Sequence, residues 1–508
     1  MNLFDTTNDA PLGEIVGALP AVAGAMMLAG AATHHTTLSI PYETRGVTAG
    51  ALVAALATLI ALGVKKRHDD RLNALYGVAL VLLAVCATTF GVAARAQARE
   101  ASTIAVLAKQ YETVNVVGEV VTEPRPVGRR WLTIVKTREV NGTIVTERVA
   151  VLHAGTPPAL GFGVTFNARP RPLSADGFHR WLAQQHATVV FEPATLALDP
   201  SRQGMLARAS ETVRSRTRDA ANRHMSEANA GLMVALVTGD RRGINPVDVD
   251  ALRTAGMSHL TAVSGMHLAV FSAGVLGVLI AAGVSPRARR VVLAAALVWF
   301  AFVTRFQPSV LRAGLMALIV LYGASRGRVS DARYALSVAV LILVSLDPNL
   351  GASVGLQLSA VATSGVLVIG PLLRKRLSGR LPGRLRDVVA ITAGAQLAVL
   401  PVLVGTFGGV SLAAFPANVL AASFVGVAAL SGFVGAMAAL IYPPLGAVVF
   451  VVATPGAQAI LALARFFSTW PTLGPWGIGV VAVASVLVWR VTRYVRLRNG
   501  KADVIHRP

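Results

Sequence analysis

The chain has 508 residues, 54% of them hydrophobic and 14% charged, with a formal net charge of +22 and a mean hydropathy of +0.60. An average globular chain is about 25% charged, so these figures exclude an ordinary soluble protein, a disordered chain and a fibrous one. Cys86 is the only cysteine, which rules out an intramolecular disulfide and a Cys-rich metal site.

A membrane span needs about 20 mostly apolar residues. Three segments qualify first, near 15–33, 47–64 and 74–94. A long polar stretch from Arg95 to about Met257 follows, and nine further apolar segments lie near 264–284, 291–304, 310–324, 334–346, 352–373, 388–407, 415–440, 445–464 and 475–490. Odd-to-even alternation of these twelve puts 22 Lys and Arg on one side, among them Lys65, Lys66, Arg287, Arg326, Arg374 and Arg490. The other side receives only Arg45, Arg305, Arg312 and Arg465. By the positive-inside rule the basic side is cytoplasmic, both termini are cytoplasmic, and the polar stretch is extracytoplasmic. Residues 1–14 carry three acids and no base, so they do not read as a signal peptide.

Within the polar stretch, Thr113–Thr122, Trp131–Val140, Thr143–His153, Gly163–Pro170 and Ala187–Ala194 alternate like strands, and Asn141-Gly142 between two of them signals a hairpin. Five short strands suit a small closed barrel of the OB type. Trp131, Phe162, Phe166, Trp181 and Phe191 either fill its core or stack bases, with Arg129, Arg130, Lys136, Arg169 and Arg171 supplying positive charge. Residues 201–225 hold six arginines and no proline, which predicts a basic helix in the membrane interface.

The fold class expected is therefore a polytopic α-helical membrane protein of about 12 transmembrane helices with an inserted small all-β, OB-fold-like extracytoplasmic domain. Its divisions are a three-span region at 1–100, the β domain at 101–200, the basic helix at 201–228, a channel domain at 229–492 and a basic cytoplasmic tail at 493–508.

Ionisable groups in apolar sequence are costly, and they mark function or a buried partner. The run Ala230–Thr238 is too short to span and ends in Gly239-Asp240-Arg241-Arg242-Gly243, after which Gly256-Met257-Ser258-His259-Leu260 and Ala262-Val263-Ser264-Gly265-Met266-His267 lead into the next span. This reads as a re-entrant or interfacial hairpin lining a cavity. Asp240 and Arg241 form a mutually neutralising pair in the simplest structural reading. His259 and His267 share a helical face without metal-ligand spacing, and Ser264 lacks the Gly-x-Ser-x-Gly elbow of a nucleophile. Arg312, Gln357, Ser359, Gln396 and Asn418 follow in later spans, the amides either lining a path or only bridging helices.

The hairpin motifs, together with Arg312-Ala313, Asp347-Pro348, Gly355-Leu356-Gln357-Leu358-Ser359, Gln396 through Pro401 and Asn418, resemble the ComEC family of bacterial competence proteins in order and spacing. Leu356 stands where the family usually has Phe, and Ala421-Ala422-Ser423 replaces its usual apolar-Pro ending. The resemblance implies an inner-membrane channel that passes one strand of transforming DNA to the cytoplasm. It also implies an extracytoplasmic DNA receptor and a cytoplasmic motor ATPase as partners, since the chain carries no Walker A loop. Many members carry a metallo-β-lactamase-like domain with an HxHxDH zinc motif. None of the ten histidines here falls in such a motif, so no catalytic residue, metal or cofactor is expected, and the nuclease attributed to that domain is either absent or resides on another protein. Asp240, Arg241, His259, Ser264, His267, Arg312, Gln357, Gln396 and Asn418 are the expected pathway residues. Trp131, Arg129, Arg130 and Arg169 are candidate DNA contacts on the β domain. Besides single-stranded DNA, membrane lipids are expected partners, and the pore forms within one chain or in a homo-oligomer. The competing reading is a secondary permease for a small anionic or lipid-linked solute that uses Asp240, His259 and His267 as a proton relay.

Overall fold

Hydropathy divides the chain into a β-rich unit and a helical unit, and a computed structural model shows both. It describes residues 97–110, 112–174, 177–326 and 331–474, with Gly91, Ala94 and Arg95. The first three expected spans, the span near 475–490 and the basic tail lie outside the described residues.

The β unit starts with a short helix, α1 (Thr103–Gln110), and continues through β1 (Val114–Val120), β2 (Arg125–Val127), β3 (Arg130–Val140), β4 (Thr143–Ile144), β5 (Arg148–His153), β6 (Gly163–Ala168) and β7 (Pro170–Pro172). A second helix, α2 (Gly177–Gln184), then leads to β8 (Ala187–Phe191) and β9 (Ala197–Asp199). The expected hairpin forms at Asn141-Gly142: both residues have positive φ, 51° and 78°, and Val140 pairs with Thr143. The strands pair in the order β7-β8-β5-β3-β1-β6-β9, all antiparallel except β5 with β8. Arg169 alone separates β6 from β7, so one stretch of chain pairs with β1 at one end and with β8 at the other. Phe166 and Phe191 meet edge to face at 5.2 Å inside this sheet and are buried, as core fillers. Trp131 and Trp181 are half-buried, and the Arg125 guanidinium lies 4.9 Å from the Trp181 ring. Between β1 and β3 the chain adds β2, whose Pro126 faces Trp131 across the pairing with β3.

Helices follow: α3 (Met205–His224), α4 (Glu227–Thr238), α5 (Pro246–Thr254), α6 (Gly265–Ala281), α7 (Pro286–Val303), α8 (Pro308–Ser325), α9 (Ala332–Leu346), α10 (Pro348–Ala352), α11 (Val354–Arg376), α12 (Gly383–Phe407), α13 (Ala414–Ile441) and α14 (Pro443–Phe467). The segments Val410–Ser411 and Thr472–Leu473 pair as a small antiparallel ladder, β10 and β11. Among the described residues six stretches are long and apolar enough to cross a membrane: Ser258–Ala281 and helices α8, α11, α12, α13 and α14. The apolar segments near 291–304 and 334–346 do form helices, but α7 opens with three arginines and α9 has 15 residues. At 1.5 Å per residue α9 is shorter than the roughly 30 Å of hydrocarbon core.

Small residues bring the long helices together. A Cβ on Gly365 of α11 would lie 2.2 Å from the Gly394 carbonyl of α12. The largest apolar cluster joins α3, α4, α6, α7, α13 and α14, with Phe271, Phe300 and Phe433 stacked at 4.5–5.9 Å in its middle.

The basic helix α3 does not lie free at an interface. It packs on α13, α14 and α7, with Arg214 buried and donating to the Val303 carbonyl at 3.0 Å. Three residues from sparsely basic connections bond the 95–257 stretch: Arg305 to Glu123, Asp347 to Arg95, and Arg465 to Asp248. Arg216 departs from that scheme, donating to the Leu440 carbonyl at the α13–α14 turn at 2.7 Å.

Candidate functional site

Helix α4 is apolar all round and is buried on every face from Asn229 to Thr238, as such a helix must be. It ends at Gly239, whose φ of +74° makes the left-handed cap that directs the chain into Asp240. The first part of the expected hairpin is thus protein-enclosed, not lipid-facing. Gln307, the residue before Pro308, holds the turn from outside: its Nε2 donates to the Gly239 carbonyl at 3.4 Å and its Oε1 accepts from Val263 N at 3.1 Å.

Asp240 is fully buried and does not pair with Arg241 as the sequence led us to expect. It accepts from Arg242 Nε at 2.9 Å and Nη2 at 2.8 Å, from Arg218, and faces Arg214 at 3.5 Å. The same arginines reach two further carboxylates. Glu123 of the β domain meets Arg214 at 2.8 Å, Arg242 at 3.1 Å and Arg305 at 3.3 Å. Glu211 of α3 meets Arg242 at 3.1 Å and Arg305. Three carboxylates and four guanidiniums therefore form one network that joins the β domain, α3, the Gly239 turn and the α7–α8 connection. Burial pushes the Asp240 carboxyl up, but the hydrogen bond from Arg242 and the charges of Arg214, Arg242 and Arg218 outweigh it and hold the group well below the usual carboxylate range. Burial likewise opposes, and the charges of Arg242, Arg214 and Arg305 reverse, the shift at Glu211, which is also lowered. Arg305 and Phe306 sit in succession at φ +57° and +53°, a conformation costing about 1–2 kcal/mol per residue, and Arg305 is held there by Ser210 Oγ at 2.6 Å as well as by the two glutamates.

Arg241 turns away from this network. Its Nε donates to the Thr261 carbonyl at 2.8 Å. Burial, with the nearby Arg125 charge adding to it, lowers its pKa to about 10. It makes no ion pair among the described residues.

His259 and His267 do not share a helical face. His259 is exposed in a one-turn 3-10 segment, Ser258–Leu260, while His267 is the third residue of α6 and fully buried. The intervening Ser264 ends the extended link and caps α6. Its backbone N–H donates to His267 Nδ1 at 3.0 Å, and its Oγ lies 3.0 Å from the same nitrogen. Nδ1 thus serves as the acceptor, so the proton of the neutral ring sits on Nε2, which is buried without a hydrogen-bond partner.

Arg312, in the first turns of apolar α8, is 4% exposed. Its Nε donates to Ser359 Oγ of α11 at 2.9 Å and its Nη1 approaches Met316 Sδ at 2.9 Å. No carboxylate pairs with it among the described residues. Its Nη2 reaches the first turn of α6, about where a Cβ on Gly265 would be, 3.4 Å away.

The amides are spent on structure. Gln357 Nε2 donates to the Gly351 carbonyl at 2.8 Å, Gln396 Nε2 to Ala414 O at 2.8 Å, and Asn418 Nδ2 to Ala414 O at 2.7 Å and Gly256 O at 3.2 Å. Gly256 has φ +71°, and a Cβ there would stand 2.5 Å from that of Ala414; Asn418 thereby ties the α5–α6 link to α13. On the β domain, Arg130 is paired with Glu192 at 3.1 Å, while Arg129 and Arg169 are exposed at a turn and at the β6–β7 break.

The structure thus gathers Asp240 with charges the sequence scatters over 182 positions, and sets Ser264, His267 and Arg312 around one helix start. Gln307 and Glu123 were the residues sequence reasoning missed. Gln307 directly precedes a proline that opens a helix, which is a capping signal; Glu123 carries none.

A sequence profile described as competence protein matches residues 236–496. ComE operon protein 3 of Bacillus subtilis (strain 168) is 31% identical over 207 residues, which is 41% of this chain and 26% of that relative. The chain therefore matches about a quarter of the relative's length. No solved structure matches it.

Proposed function

The chain belongs to the competence protein family, and on that premise we propose that it is the inner-membrane channel through which one strand of DNA passes to the cytoplasm during transformation. The observation that carries this reading is Arg312. A guanidinium buried in an apolar helix without a carboxylate is expensive to keep, and a substrate that brings one negative charge per nucleotide removes the cost each time a phosphate passes. Arg241 is a second guanidinium without an acid, on the side facing the β domain, and the Nε2 donor of His267 stands at the same helix start that Arg312 reaches.

On this account the chain is polytopic with both termini cytoplasmic, the count of twelve spans resting on hydropathy alone, since α9 has only 15 residues and Arg216 reaches the α13–α14 turn. The β domain is an OB-type barrel outside, a reading supported by the parallel β5–β8 pair and by the single stretch β6–β7 that pairs at both ends of the sheet order. Single-stranded DNA meets it near Arg129, Arg169 and Trp131. Inward movement of each charge opposes the membrane potential by about 2.3 kcal/mol per 100 mV, so a cytoplasmic ATPase supplies the work, an outer receptor delivers the DNA, and a separate nuclease removes the other strand. We expect no hydrolysis at Ser264 and His267, which form a helix cap with no carboxylate orienting the ring among the described residues. A proton-relay permease is disfavoured because three guanidiniums keep Asp240 ionised.

The test is uptake of labelled duplex DNA into a nuclease-protected cytoplasmic pool in a naturally transformable host, comparing a deletion strain with its complemented parent. Loss of internal DNA with surface-bound DNA unchanged is expected. Unchanged internal DNA overturns the reading.

A further inference from the structure

Away from Arg312, the β domain meets the turn between α9 and α10 at an open cleft of 380 Å³ lined by Arg95, Lys136, Thr146, Glu147, Arg148 and His186. Two of its lining residues are engaged by Asp347: Oδ1 accepts from Arg95 at 2.8 Å and from Asn349 N at 3.0 Å, and Oδ2 pairs with His186 at 2.9 Å.

The wall above it is unbalanced in two ways. Lys136 and Arg148 stand directly opposite each other in the β3–β5 register, both exposed. Like charges so placed destabilise a sheet, and neither forms an ion pair among the described residues. Beside them Glu147 is fixed by its backbone, its N–H donating to Thr137 Oγ1 at 3.0 Å and its carbonyl accepting from Thr137 N at 2.7 Å. Its Oε2 is buried and has no hydrogen-bond partner. The cleft thus presents two cations that lack an anion next to a carboxylate oxygen that lacks a donor.

Its height follows from α9. That helix is apolar from Tyr334 to Leu346 apart from Ser337 and Ser345, and ends one residue before Asp347. Leu346 is 73% exposed, and its carbonyl takes Arg95 Nη2 at 3.5 Å. Apolar helix surface therefore stops where the cleft begins, as it does at the level of lipid headgroups.

We propose that this cleft binds the headgroup of an aminophospholipid. The phosphate sits on Lys136 and Arg148, the primary ammonium donates to Glu147, and the first acyl carbons rest on Leu346. A nucleic acid supplies the phosphate but meets Glu147 with a like charge; a ligand carrying both charges a few bonds apart satisfies both sides of the wall. The inference stands apart from the DNA-uptake reading.

The full-length protein is reconstituted in nanodiscs of phosphatidylcholine doped with phosphatidylethanolamine or phosphatidylglycerol, and the lipids it retains on release into detergent are counted by native mass spectrometry. Phosphatidylethanolamine is expected to be retained over the other two by about tenfold, the worth of one charge-assisted hydrogen bond. Glu147→Gln should erase its advantage over phosphatidylcholine, whose quaternary ammonium has no proton to donate. Lys136→Gln with Arg148→Gln should lower retention of all three, with the unfolding temperature not lowered in either variant. Equal retention of the three lipids by the wild type, or a preference unaltered in both variants, overturns the proposal. So does displacement of the retained lipid by a single-stranded oligonucleotide, which assigns the cleft to nucleic acid.

Discussion

Arg214 and Arg305 in the network around Asp240 are buried to a degree similar to Arg312, yet they are solvated in opposite ways. Arg214, Arg218, Arg242 and Arg305 share three carboxylates, so each guanidinium faces at least one counter-charge within the protein. Arg312 has a hydroxyl and a thioether. Desolvating a charge costs several kcal/mol; the first group recovers that from its neighbours, whereas Arg312 has no carboxylate among the described residues to recover it from. The contrast teaches that burial of an arginine is not by itself what marks a candidate substrate contact; Arg312 is set apart by having no counter-charge among the described residues. Asp240, which looks in the sequence like a functional acid, belongs to the part that holds the β domain against the helices.

The largest effect that would break this comparison is expected at Asp240. Asp240→Asn leaves four guanidiniums with two carboxylates, and uncompensated buried charge of this kind costs about 3–5 kcal/mol. The variant should accumulate poorly in the membrane and unfold at much lower temperature in detergent. An unfolding temperature equal to the wild type would show that the network contributes nothing.

Next in size is Gly256→Ala. The residue combines a left-handed φ with contact to Ala414, so a cost of about 2 kcal/mol is expected from strain and displacement together. Limited proteolysis between α5 and α6 should report it as faster cleavage, since Asn418 loses the Gly256 carbonyl. Asn418→Ala should reproduce part of that acceleration.

The pH dependence sharpens the same contrast. The folded-state pKa of Asp240 is depressed, so its contribution is fully present above the unfolded value of about 4 and is lost as the pH falls through the folded value. The gap in unfolding temperature between wild type and Asp240→Asn should be constant from about pH 8 to about pH 5 and narrow below about pH 4. A gap that closes near neutral pH would mean that the carboxyl is not held by the arginines.

The smallest effect is expected on the β domain. Arg129→Ala and Arg169→Ala each remove one exposed charge, worth no more than about 1 kcal/mol of phosphate attraction at physiological salt. Uptake should fall modestly at low ionic strength and less at high ionic strength, where screening removes the contribution, with stability unchanged.

Much of the architecture was legible because hydropathy acts through strict rules. A run such as Val354–Arg376 can bury its backbone polar groups only as a helix, and Asn141-Gly142 can close a hairpin only with both residues at positive φ. The charge network was not legible, because Glu123, Glu211, Asp240 and Arg305 are brought together by tertiary packing that no local spacing records. Arg241 stands next to Asp240 in the chain, yet the left-handed cap at Gly239 turns the two side chains apart. His259 and His267 failed as a helical pair because Ser264 restarts the helix between them. Arg312 was singled out correctly as a charge within an apolar run, while its lack of an acid could be seen only once its neighbours were placed.

The measurement that tests the central claim is internalised DNA, counted in the nuclease-protected pool, in strains carrying Arg312→Ala or Arg312→Lys at wild-type protein levels. The account predicts that Arg312→Ala stops internalisation while surface-bound DNA and the unfolding temperature are kept, and that Arg312→Lys, which retains the charge without the guanidinium geometry, restores part of it. Undiminished internalisation in the alanine variant would contradict the claim that this unpaired guanidinium meets the phosphates of the passing strand.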